Sequence, residues 1–204
     1  MPYFVHDMLG HADPAVRCKV IEALSELKLE YIDFSLEDMI NDPSPQVRAT
    51  AIVALWKIPE RKAAAGINLL NLLEGKSSEE KAAGLKVLVK TGASEFLSQI
   101  EPLLGDSDSR VQALASLAYL ALGNRDSASW DKSTERLIAL LISPTLTEYF
   151  HQEILPLMAC LKEDGLDVII MEVVMLSEQD KKQAITVLQE FYWIYKKYTE
   201  SIEH

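Results

Sequence analysis

Residues 41–58 read NDPSPQVRATAIVALWKI, and the fold class follows from this stretch. An Asp-Pro turn is followed by a second proline, Pro45, which suits the first turn of a helix, where a missing N–H costs nothing. Val47, Ala51, Ala54 and Leu55 then fall at i, i+4, i+7 and i+8, one face of a helix. Working outward, HADPAVRCKVIEALSEL (11–27) and GDSDSRVQALASLAYLAL (105–122) align with it, and KSSEEKAAGLKVLVKTG (76–92) is a weaker copy. With Val16, Val47, Glu80 and Val111 as anchors the spacings are 31, 33 and 31. Small or apolar residues recur four positions on (Val20, Ala51, Gly84, Ala115) and eight positions on (Leu24, Leu55, Leu88, Tyr119). A period of 20–50 residues marks a repeat architecture.

Each unit needs a partner helix ahead of the motif. Candidates are Pro2–Leu9, Ser35–Ile40, Glu60–Glu74, Glu95–Leu104 and Trp130–Ile142. Gly75, Gly92, Gly105, Gly123 and Gly165 stand where helices stop, and Asp42, Ser78 and Asp106 where N-caps are expected. The unit reads helix, tight turn, helix, and because one unit cannot bury its apolar stripes alone, neighbours are expected to stack. Beyond Gly123 no motif is visible. The expected helices there are Trp130–Ile142, Leu146–Leu161, Leu166–Leu176 and Ser177 to about Ser201, with Pro156 awkward inside the second. They are read as two degenerate repeats, the last a cap.

At these residues the chain resembles the HEAT-repeat family, including its short, bilin-lyase-type HEAT-like form. Asp13, Pro14, Val16 and Arg17 match the family's turn-and-helix pattern, as do Asp42, Pro43, Val47, Arg48, Ala51 and Leu55. The run Pro102–Asp108 with Val111 matches too, except that Arg110 is displaced and Gln112 holds the usual Arg position. The third unit lacks the Asp-Pro, the Val and the Arg. The resemblance implies an all-α, right-handed α-solenoid of about six helix-turn-helix repeats, a single domain over 1–204 with clear repeats in 1–122 and degenerate ones in 123–204. It also implies that Asp13, Arg17, Asp42 and Arg48 form a structural ladder between neighbouring units. Charges near a repeat interface are retained when paired.

Composition limits the function. The 204 residues carry 20 Lys and Arg against 31 Asp and Glu, a net charge of −11 spread over both halves. A nucleic-acid groove needs clustered cations, so none is expected. Gly and Pro together are scarce, 8 each, which suits helices better than sheets. The N-terminus MPYFVHDML lacks a basic region followed by an apolar core, and the most apolar run, LDVIIMEVVML (166–176), carries Asp167 and Glu172, so neither export nor a membrane span is expected. Cys18 and Cys160 stand alone, consistent with a reducing cytoplasm.

Chemistry-bearing motifs are absent. His6, His11, His151 and His204 include no i, i+4 pair, although Glu148, His151 and Gln152 share a helical face; no metal is expected. There is no GxSxG and no glycine-rich phosphate loop, so no catalytic residue and no cofactor is assigned. Instead, the second helix of each repeat offers a row of positions away from its core: Glu22, Val53, Trp56, Lys86, Lys90, Leu117 and Leu120. In the family such helices line the concave surface, so these residues are the expected partner-binding groove, suited to the helix or loop of another protein. Leu117 and Leu120 have a competing reading as core. Near the C-terminus, Phe191, Tyr195 and Tyr198 share one stripe as a cap, leaving Tyr192 and Trp193 as a docking pair. The expectation is a non-enzymatic scaffold or adaptor, alone or as one module of a larger chain. The resemblance also allows a HEAT-like DNA glycosylase, disfavoured by the charge, a bilin-lyase subunit, or the cytoplasmic regulatory domain of a transporter.

Overall fold

The computed structural model of the chain describes residues 3–27, 33–123, 125–143, 147–161 and 163–189. Among them every regular element is helical and no strand occurs. The chain divides into two compact units, Met1–Thr91 and Gly92–His204. The division falls at Gly92, whose φ of 67° is a left-handed conformation that glycine adopts without steric cost.

The first unit holds α1 (Tyr3–Leu9), α2 (Pro14–Glu26), α3 (Asp33–Met39), α4 (Pro45–Trp56), α5 (Lys62–Leu73) and α6 (Ser78–Thr91). They form three consecutive pairs, α1 on α2, α3 on α4 and α5 on α6, and the second helices pack in series, α2 on α4 and α4 on α6. Local sequence explains the starts. Pro14 and Pro45 open their helices, and the Asp13 side chain accepts from the Ala15 amide. At α6 a capping box forms: the Glu80 amide donates to Ser77 Oγ at 3.2 Å, and the Ser77 amide donates to the Glu80 carboxylate at 3.3 Å. This corrects three expected caps. Ser77 caps α6 in place of Ser78, while Asp42 and Asp106 sit two residues ahead of the cap positions Ser44 and Asp108. Gly84 takes the place of a larger residue because α5 lies close by: a Cβ there would stand 3.0 Å from Leu73 Cδ2 and 3.1 Å from Leu72 Cβ.

The second unit holds α7 (Leu97–Leu103), α8 (Ser109–Leu122), α9 (Ala128–Leu141), α10 (Thr147–Tyr149), a π-helical stretch Phe150–Ile154, α11 (Leu155–Met158), α12 (Glu163–Met175) and the helical residues 178–189, here α13. At its centre lies α8, packed by α7, α9 and the π-helical stretch, with α12 on α9. Val111 and every residue from Ala113 to Ala121 are buried. A helix apolar on all sides belongs inside a core.

The expected helix Leu146–Leu161 is interrupted, and Pro156 supplies the reason. Proline has no N–H to give, and its ring crowds the carbonyl four residues back. The chain widens ahead of it, so that the Leu155 amide donates to the carbonyl of Phe150, five residues away. The wide turn buries Phe150, Ile154, Leu155, Leu157 and Met158 while leaving Pro156 exposed.

Candidate functional site

The three turns that open α2, α4 and α8 use one scheme. A side chain accepts from the amide two residues ahead: His11 Nδ1 from Asp13 at 3.1 Å, Asp42 from Ser44 at 2.8 Å, and Asp106 from Asp108 at 2.9 Å. Six residues past each acceptor a long side chain folds back to close the turn. Arg17 donates to the carbonyls of His11 and Ala12, Arg48 to those of Asp42 and Pro43, and the Gln112 amide to that of Asp106. Gln112 thus performs the turn-closing half of the arginine's task.

The other half links neighbouring pairs. Arg17 Nε and Nη2 donate to the two carboxylate oxygens of Asp42 at 2.8 and 2.7 Å, a bidentate pair closed off from solvent. Arg48 Nη2 donates to Glu80 at 2.9 Å, so a glutamate from a capping box stands where an aspartate was expected. Glu80 is held below the usual carboxylate range by the Ser77 amide and hydroxyl, with Arg48 adding to the effect. Asp13 is exposed and serves its own helix. These groups are aimed at one another and hold neighbouring helices together.

The candidate binding row occupies the surface of α2, α4 and α6. Glu22 is exposed, Val53 and Lys86 are half-buried, and Lys90 is exposed. Lys19 pairs with Glu22 at 2.7 Å, which raises the lysine pKa chiefly through that hydrogen bond. Trp56, at the end of α4, is half-buried, with Lys62 Nζ 4.9 Å from the ring centroid. Its ring is therefore partly covered by a cation at the α4–α5 corner. Sequence reasoning missed a member of this row: Lys57 pairs with Glu26 at 3.0 Å. The repeat spacing of 31 between these two residues was the available signal. Along this face charge runs from Glu22 and Glu26 on α2 to Lys86 and Lys90 on α6, with Val53 between.

Leu117 and Leu120 do not extend the row. They are 0% and 2% exposed in the middle of α8, so they belong to the core of the second unit. The sequence carries the reason: between Val111 and Leu122 only Gln112 and Ser116 break a run of small and apolar residues, which leaves α8 no polar face to turn to solvent. Tyr192 and Trp193 lie outside the described residues. Among those that are described, no group of three His, Cys, Asp or Glu is placed to hold a metal ion, and no helix is long and apolar enough to cross a membrane. Tyr149 is set apart by burial, which with Glu153 nearby pushes its hydroxyl well above the usual phenol range, and it donates to the carbonyl of Arg110 at 3.1 Å. That bond ties the start of the π-helical stretch to α8. No protein-family model matches the chain, and no curated protein matches it at a significant level.

Proposed function

We propose that this chain is a non-enzymatic, HEAT-like protein-binding module, a right-handed α-solenoid that receives the helix or loop of another protein along the face of its second helices. The observation carrying this reading is the series α2, α4, α6. Arg17–Asp42 and Arg48–Glu80 fix the helices to one another, and Glu22, Val53, Lys57, Lys86 and Lys90 lie along the face beyond them. A face built this way is continuous, rigid and mixed in charge. It suits a partner segment with an apolar centre flanked by a basic end, towards Glu22 and Glu26, and an acidic end, towards Lys86 and Lys90. Leu117 and Leu120 have no part in it. A cytoplasmic location belongs to the same proposal.

The test is capture from native lysate with lysine-reactive cross-linking. Cross-links from Lys57, Lys86 or Lys90 to one partner are the expected result, and Trp56→Ala together with Lys86→Glu is expected to lower its recovery. Cross-links confined to Lys62 and the first helices would place the contact on another face and overturn the reading.

A further inference from the structure

Seven large apolar side chains are exposed among the described residues, and four of them fall within six positions of α12: Ile170, Met171, Val174 and Met175, between 50% and 81% exposed. The helix explains the grouping. Ile169 and Val173, four positions apart, are buried on the side where α12 packs on α9. Ile170 with Val174, and Met171 with Met175, form two adjoining rows away from that contact. A contiguous apolar patch of this kind marks a contact with another molecule.

The border of the patch is acidic. Asp167 lies one turn ahead of Met171 in the same row, Glu172 flanks Met175, and both carboxylates are exposed. Over the described segment 163–189 six acidic residues stand against two lysines, and one of these, Lys181, is bonded to Glu178 at 3.0 Å. A segment covering the two rows brings its own flanking charges to this border, where cations are attracted and anions repelled. We propose that this face of α12 docks a basic amphipathic helix of another protein, with its apolar side chains on the two rows and its lysines or arginines toward Asp167 and Glu172. The unbranched methionines adapt to partner side chains of differing shape. The face shares no residue with the row on α2, α4 and α6 and does not rest on the function proposed for that row.

The probe is a fluorescein-labelled model peptide of leucine and lysine at helical spacing, titrated with the full chain and read by fluorescence anisotropy. Saturable binding is expected, at least about tenfold tighter than for the same composition in scrambled order or for a leucine–glutamate peptide of the same pattern. Met171→Glu with Met175→Glu, both at exposed positions, should weaken it at least about tenfold with an unchanged helical spectrum. This variant separates docking from plain attraction between opposite charges, because its two added carboxylates would tighten the latter. Asp167→Lys with Glu172→Lys, a second variant with the apolar rows intact, should transfer the preference to the leucine–glutamate peptide. Equal binding of the scrambled peptide, or tighter binding by the Met171→Glu, Met175→Glu variant, overturns the proposal. So does a peptide that fails to bind while sedimentation shows the chain self-associating through these methionines, which would put a second copy on the face.

Discussion

Replacing Arg17 by alanine removes a guanidinium that is 9% exposed from a carboxylate that is 6% exposed, together with its bonds to the carbonyls of His11 and Ala12. Breaking a buried pair from one side costs about 3–5 kcal/mol, because the remaining charge stays desolvated. Asp42 keeps the Ser44 amide at 2.8 Å, which offsets part of that loss and places the expectation near the lower end, about 3 kcal/mol. For a chain of this size each kcal/mol moves the midpoint by roughly 2–4 °C, so Arg17→Ala should melt about 6–12 °C below the parent if the chain unfolds in one transition. A double-mutant cycle with Asp42→Ala isolates the pair. Once the guanidinium is gone, removing the stranded carboxylate should cost little, giving a coupling energy of about 1 kcal/mol or more. Urea titrations of the four proteins at neutral pH supply the numbers. A midpoint within about 2 °C of the parent, or a coupling below about 0.5 kcal/mol, would refute the claim that this pair joins the first two helix pairs.

The companion pair, Arg48–Glu80, is 20% and 30% exposed, and Arg48→Ala should accordingly cost only about 1 kcal/mol in the same urea titrations. Because the folded Glu80 titrates below its unfolded value of about 4.5, its stabilisation is present above that pH and disappears as pH falls through the lower folded value. Glu80→Gln should therefore be less stable than the parent at pH 7, and urea midpoints should converge in strong acid. Leu117→Ala should cost about 2–5 kcal/mol as a core truncation, against less than about 1 kcal/mol for Val53→Ala on the exposed side of α4; equal costs in thermal melts would return Leu117 to the surface. Gly84→Ala gains helix propensity but presses on the buried Leu72 and Leu73, and a net loss of about 1 kcal/mol is expected in the same melts.

The helix pairs of the first unit were legible because three signals agreed there: the apolar spacing after Val16 and Val47, the prolines at the helix starts, and the recurring Arg. Cap positions were off by one or two residues, since Asp42 and Asp106 look like caps yet spend their carboxylates on the amide two ahead. Glu80 was hidden as a linking residue because it lies on the helix, at the anchor position, while its counterpart Asp42 lies in a turn. The surface reading failed at α8 because counting from Val111 assumes the same side is exposed in every repeat. Burial there follows from α8 lying among α7, α9 and the π-helical stretch, which counting along one helix does not report.

The glutamate shared between Ser77 and Arg48 has a mechanical consequence. In most helices the first turn frays independently, exposing a few amides at little cost. Here the carboxylate that closes the first turn of α6 is the one that grips α4, so the two openings are a single event. Hydrogen exchange at residues 79–81 should then report separation of α4 from α6, with the helix start behaving as a latch whose release is felt one repeat away.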